Sequence, residues 1–246
     1  ASVQAAAGFG KSLSAADFTG NGLAATDAAF SGDGKLSHSL DETIAIRTKF
    51  LTEYQNAAYA RQYTDFVAKV RAGEQQHSPE FTGLTEAVAK YLFKLMAYKD
   101  EYEVARLYSS PAFLKQIADT FEGDIKLHLN LAPPLFAKKD ADGHLIKQEF
   151  GAWALPAIKT LRHLKFLRGT ALDVFGKTEE RKMERALIED YKRDIETVVS
   201  KLSVGNHVQA VQFARLPEHI RGFGYVKEKH VAKVKAQWAE LMAKFA

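Results

Sequence analysis

Apolar positions recur along this chain at helical spacing almost everywhere, and alternate like a strand in one place. From Ser39 or Asp41, either able to cap, the stripe Ile44, Leu51, Tyr54, Ala58, Phe66 and Val70 predicts one long helix to about Val70. Arg47, Lys49, Arg61 and Lys69 fall off that stripe, and Tyr54, Tyr59 and Tyr63 are expected to be half-buried packing residues. Gly73 to Gly83, with Ser78-Pro79 inside it, predicts a loop. Leu84, Val88, Leu92, Leu95, Tyr102 and Ala105 then lie close to one line, so Tyr91 to Arg106 reads as a core helix with a polar insert. Behind Ser109-Ser110, Pro111 opens a further helix with Phe113, Leu114, Ile117 and Phe121 inward.

The alternation comes next: Ile125, Leu127, Leu129 and Leu131 against Lys126, His128 and Asn130, stopped by Pro133-Pro134. After the turn Asp140 to Gly143, residues His144 to Phe150 can return as its partner, which predicts a two-stranded ribbon on helices. Trp153 and Pro156 lead into a helix to about Leu167, and Gly169 to Gly176 is a turn-rich connector. Thr178 caps the longest clean helix, with Met183, Leu187, Tyr191, Ile195, Val198 and Leu202 on its inner face. Gly205-Asn206 breaks it, a shorter helix runs through Leu216, and a last one from Val226 turns Val231, Val234, Trp238, Leu241 and Phe245 inward. The expected fold is mainly α, a multi-helix bundle-like domain over residues 40–246 with a small β-hairpin around residues 124–150. Residues 1–39, dominated by Ala, Gly, Ser, Thr and Asp, are expected to form a flexible or divergent linker.

Composition narrows the function classes. With 246 residues and 46% hydrophobic content the chain can bury a real core. A net charge of +4 permits an acidic partner without requiring one. The absence of cysteine removes disulfides, a thiol nucleophile and cysteine-ligated iron–sulfur clusters from this segment. No run reaches the roughly 18–20 apolar residues of a membrane span, and no signal peptide opens the chain, so a cytoplasmic protein without a membrane partner is expected. The start at Ala1 suits a piece of a longer product.

Candidate chemistry is sparse. Gly8-Phe9-Gly10-Lys11-Ser12 ends like a phosphate loop but lacks the first glycine and a preceding strand. Ser31-Gly32-Asp33-Gly34 is similar to the Gly-Asp-Gly of thiamine diphosphate enzymes, but Asn56 stands alone on an expected helix. Both patterns read as polar turns. His128 occupies the polar phase of the strand, with His144 and His163 not spaced as co-ligands, so no metal site is expected. Lys99, Asp100, Glu101 and Arg106 concentrate charge beside Tyr98 and Tyr102, and helical spacing lets Glu103 meet Lys99 or Arg106. Each such surface pair contributes about 0.2–0.5 kcal/mol, so the segment is expected to serve an inter-helix or interdomain ion network.

Taken together, certain blocks resemble a known family. Tyr98 to Arg106 (YKDEYEVAR), His128 to Pro134 (HLNLAPP), Leu167 to Gly176 (LRGTALDVFG), Glu180 to Arg185 (ERKMER) and Ile220 to Lys227 (IRGFGYVK) follow one another as in the C-terminal helical domain of large indolepyruvate ferredoxin oxidoreductases. Phe50 to Tyr59 is similar to the segment preceding that domain, and the resemblance covers roughly residues 40–235. It implies a parent enzyme that oxidatively decarboxylates arylpyruvates with coenzyme A, using thiamine diphosphate, Mg2+ and iron–sulfur clusters, and passes electrons to ferredoxin. The segment itself is then expected to hold no cofactor and to pack on the parent's catalytic domains or subunits. Lys99, Arg106, Arg168 and Arg221 are the positions to test for a carboxylate or phosphate contact, interdomain salt bridges being the other reading. The competing class is a stand-alone helical interaction module without catalysis, whose basic stretches Lys159 to Arg168 and Lys227 to Lys235 face an acidic carrier or anionic polymer. Groove-reading and interleaved aromatic motifs are missing, so nucleic acid is not expected.

Overall fold

Several helices in this chain start where a side chain accepts a backbone N–H that has no partner inside the helix. Ser39 starts α1 (Leu40–Tyr54), its hydroxyl accepting the Glu42 N–H at 3.1 Å. Asn56 starts α2 (Ala57–His77) by accepting the Tyr59 N–H at 2.8 Å. The computed structural model describes residues 2–6, 37, 39–121, 126–131 and 148–245. Among them nine α-helices dominate, with one antiparallel sheet, so the protein is mainly α. Contacts divide the chain into two compact units, residues 39–98 with 176–246 and residues 1–38 with 99–175.

The first of these is a helical bundle. It contains α1, α2, α3 (Gly83–Met96), α7 (Glu179–Ser200), α8 (His207–Arg215) and α9 (Tyr225–Met242). The central element is α3, which contacts α1, α2, α7 and α8. Leu84, Val88, Leu92 and Met96 are wholly buried in it, beside Leu51, Ile195, Val198 and Phe213 from its neighbours. Each fully buried aliphatic or aromatic side chain of this kind contributes about 1.5–3 kcal/mol. The stripe on α7 is as expected, with Leu187, Tyr191, Ile195 and Val198 buried.

The other unit joins short helices to the sheet. It comprises α4 (Glu101–Tyr108), α5 (Pro111–Thr120), α6 (Leu155–Leu161) and a 3-10 segment, Arg162–Leu167. Its core gathers Ala105, Tyr108, Ile117, Leu129, Ala154 and Ile158. In the sheet, β2 (Lys126–Leu131) pairs antiparallel with β3 (Gln148–Phe150), Leu129 opposite Phe150, as the alternation predicts. The turn expected at Asp140 to Gly143 lies outside the described residues, as do the patterns at Gly8 to Ser12 and Ser31 to Gly34.

Several boundaries differ from expectation. The long helix to Val70 is two helices, because Asn56 caps a new one after Tyr54. Asn56 thus has a local structural role. Gly73 is not in a loop: α2 continues to His77, and Gly73 is where it meets α7, since a Cβ there would collide with Val199 Cγ1. The Tyr91 to Arg106 stretch is likewise split, α3 ending at Met96 and α4 starting behind Asp100, whose extended backbone and carboxylate cap the second helix. Ser2–Ala6, within the expected linker, is a strand (β1) that pairs antiparallel with β2, Val3 opposite Leu129.

The Gly73 contact yields a direct test. Gly73→Ala should destabilise the protein by about 1–3 kcal/mol through overpacking, read as a lower urea midpoint. Combining it with Val199→Ala should recover part of that loss.

Candidate functional site

The charged stretch of the 99–175 segment folds into a buried ion cluster. Asp100 ends the extended approach to α4 and accepts the Glu103 N–H at 2.8 Å as its helix cap. Its carboxylate also takes both arms of Arg168, Nε at 2.5 Å and Nη2 at 2.8 Å. These two side chains are only 3% and 4% exposed. A bidentate fork of this kind suits a buried pair because both oxygens are satisfied at once. Arg168 also lies 5.6 Å from the Tyr102 ring centre. The Tyr102 hydroxyl donates to Asp173 Oδ1 at 3.2 Å, and Asp173 Oδ2 accepts the Gly169 N–H at 2.8 Å, closing the connector. Gly169 takes φ of 77°, a conformation side chains disfavour.

One helical turn on, buried Glu103 receives Arg106 through Nε and Nη2, both at 2.8 Å. Of the two cations available to Glu103 in the sequence, Arg106 makes the ion pair. Lys99 is half-buried, and burial lowers its pKa against the opposing pull of Glu103. Glu101 is half-buried in the first turn of α4, where a negative charge suits the helix dipole. His128 stands on β2 and pairs through Nδ1 with Glu149 Oε1 across the sheet. Among the described residues, no group of three or more His, Asp or Glu side chains is placed to hold a metal ion. Arg221 belongs to the other unit, exposed, with Nε donating to the Glu218 carbonyl at 3.3 Å.

Two further clusters in the helical bundle were not anticipated from the sequence. Glu74, 1% exposed at the end of α2, accepts the Leu84 and Thr85 N–H groups at 2.8 Å each, the Thr85 hydroxyl, and His207 Nε2 at 2.6 Å. It caps α3 from another helix, a task Thr82 leaves undone by making no side-chain cap bond. Buried Glu184 pairs with Arg181 at 2.6 Å and with Lys227. The sequence signal for Glu74 was weak: a carboxylate ahead of a helix start on the following segment. Glu184 lies one turn after Arg181, a spacing common on solvated faces.

An open depression on α7 and α9 includes Asp190, Arg193, Asp194, Lys235 and Trp238. Its charges answer one another, Arg193 pairing with Asp190 and Asp194 at 2.9 Å and Trp238 Nε1 donating to Asp194 at 2.8 Å. Of the sequence-marked residues, Asp100 meets Arg168, Arg106 meets Glu103 and His128 meets Glu149 as ion pairs, while Arg221 lies in the other unit on a backbone carbonyl.

The geometry defines a class, a mainly α protein with buried carboxylates held by arginine, backbone N–H and histidine. The chain belongs to a family of unknown function, DUF6537, whose pattern covers residues 40–240. It matches no curated protein and no solved structure.

Two outcomes follow from these burial patterns. Arg168→Ala should cost about 3–5 kcal/mol by stranding the Asp100 carboxylate, and Arg106→Ala only about 1–3 kcal/mol, because Lys99 remains near Glu103; urea denaturation measures both.

The second outcome concerns alkaline pH. Burial raises the phenols of Tyr63, Tyr91, Tyr102 and Tyr191, and takes Tyr108 up to about 12. In the unfolded chain they ionise near 10, so their stabilisation is complete below about pH 10 and is lost as pH rises beyond it. Lys94 is lowered to about 8 and Lys99 is lowered as well, so the cost of burying each charge is relieved as pH rises through its folded pKa, up to the pH at which unfolded lysine loses its proton. Tyrosinate absorbance and loss of helical circular dichroism should therefore rise together above about pH 10.

Proposed function

We propose that this chain is a non-catalytic helical domain of an indolepyruvate-type 2-oxoacid:ferredoxin oxidoreductase, acting in the cytoplasm by packing on the parent's catalytic domains or subunits. The observation that carries the non-catalytic part is where the candidate charges go. Asp100 is held by Arg168 and by a helix N–H, and Glu103 by Arg106, at 2.5–2.8 Å. Groups committed in this way fix a fold and are not poised to exchange protons with a substrate. The parentage rests on the blocks Tyr98 to Arg106, His128 to Pro134, Leu167 to Gly176, Glu180 to Arg185 and Ile220 to Lys227.

The parent's cofactors do not fit the residues present. Iron–sulfur clusters take cysteine thiolates, and the chain has none. For thiamine diphosphate and its Mg2+, the one asparagine that could accompany the Gly-Asp-Gly pattern, Asn56, is committed as the cap of α2. These groups, and the transfer to ferredoxin, belong to the rest of the parent.

A second reading, a free-standing interaction module, is favoured by large apolar side chains left in solvent, Trp153 at 73%, Leu172 at 72% and Phe166 at 64% exposed.

Coexpression separates the two. The chain should copurify with the thiamine- and cluster-bearing domains of an indolepyruvate oxidoreductase, and alone should not consume indolepyruvate in the presence of coenzyme A and ferredoxin. Turnover by the chain alone would sink the non-catalytic assignment; failure to associate would favour the free-standing module.

A further inference from the structure

One surface of the helical bundle gathers positive charge around a single backbone carbonyl. Lys94, on α3, donates through Nζ to the Pro217 carbonyl at 2.8 Å and the Glu218 carbonyl at 3.0 Å. Arg221 Nε donates to that same Glu218 carbonyl at 3.3 Å. Two cations are thus drawn together on one neutral oxygen. The carboxylate of Glu218 is engaged elsewhere, accepting the Tyr91 hydroxyl at 2.7 Å and Arg215 Nη2 at 3.3 Å. Among the described residues neither Lys94 nor Arg221 forms an ion pair. Burial first, then the Arg221 charge, lowers Lys94 to about 8; the Glu218 carboxylate pulls the other way, and Lys227 and Lys90 add to the lowering.

Beside this pair the chain builds a fixed aromatic turn. Gly222 and Gly224 take φ of 87° and 56°, and a Cβ on Gly222 would come within 2.7 Å of Val226 Cγ1. His230 Nδ1 donates to the Arg221 carbonyl at 2.7 Å, and the Gly224 N–H donates to Glu180 Oε1 at 3.0 Å. Between the glycines Phe223 is 62% exposed, followed by Tyr225 at 46%. Holding a large apolar ring in water on a turn that glycine makes possible offers the fold nothing. Arginine and aromatic residues side by side are, however, what protein interfaces use as anchors.

We infer that Lys94, Arg221 and Phe223 form a docking surface for an acidic segment of a partner protein, taking a carboxylate between the two cations and an apolar side chain on Phe223. The charge complementarity selects the occupant: an anion at Lys94 relieves the repulsion from Arg221 that the shared carbonyl cannot cancel. A protein is favoured over a nucleic acid because Lys229 already lies 5.3 Å from the Tyr225 ring centre and competes with a base for that ring. The surface lies in a different unit from the Asp100 cluster, and the inference does not depend on the parent enzyme.

The test uses the 246-residue chain and a fluorescein-labelled peptide of alternating glutamate and leucine, followed by anisotropy. Arg221→Glu and Phe223→Ala change exposed side chains, so their circular dichroism should match the parent chain. Saturable binding that weakens about tenfold in each variant, and is lost when glutamine replaces glutamate, is the expected result. Three results would overturn it: no saturable binding, equal binding by the variants or by the glutamine peptide, or tighter binding of an oligothymidine with the same losses.

Discussion

A helix buried over most of its circumference has little water at its ends, so neighbouring side chains must complete its terminal N–H and C=O groups. The helix Gly83–Met96 shows what that constraint demands. At its start, Glu74 takes two N–H groups and is itself steadied by His207. At and beyond its end, the Tyr59 hydroxyl donates to the Met96 carbonyl and the Tyr54 hydroxyl to the Tyr98 carbonyl, both at 2.9 Å. Tyr63 adds a bond to the Ala89 carbonyl at 3.0 Å. Far from being half-buried packing, Tyr54 and Tyr63 are wholly buried, and each combines an apolar ring with a polar tip aimed at backbone. The same bonds explain why the surrounding helices take the places they do, since Glu74, Tyr54 and Tyr59 each sit near a helix terminus.

The smaller unit meets the same constraint with charge. Asp100 caps a helix and receives Arg168 with the same carboxylate, so the start of Glu101–Tyr108 and the end of the 3-10 segment Arg162–Leu167 are tied by one group. Such a pair does little for stability compared with apolar residues of equal volume, yet removing one member is costly. Its service is to specify one arrangement.

This inward commitment of charge distinguishes two groups of ionic residues. Around Asp100 and Glu103 the ionic groups are matched and buried. Around Lys94 and Arg221 they share a backbone carbonyl, form no ion pair among the described residues and lie next to an exposed phenylalanine. Membership of a family of unknown function over residues 40–240 assigns neither role, so the distinction rests on these partners and distances.

Much of the helical content was legible because the relevant signals are local. The Thr178 cap, the Ser110-Pro111 start and the inward faces of Glu179–Ser200 and Tyr225–Met242 can be read from spacing alone. The Leu129 strand was legible for the same reason, through period-two alternation. Asn56 and Asp100 were misread, although both are residue types that cap helices, because the apolar stripe runs on past them and spacing cannot tell one helix from two in line. The site was less accessible still. Arg168 and Arg221 stood out as candidates, but nothing in the chain order says that one meets Asp100 while the other shares a carbonyl with Lys94. The sequence by itself determined the periods, the local caps at Thr178 and Ser110 and the stock of charge, the first two being properties of residues a turn apart. Which charges are neutralised was decided only by the tertiary structure, because partners separated by 68 residues, as Asp100 and Arg168 are, become neighbours only once the backbone has folded.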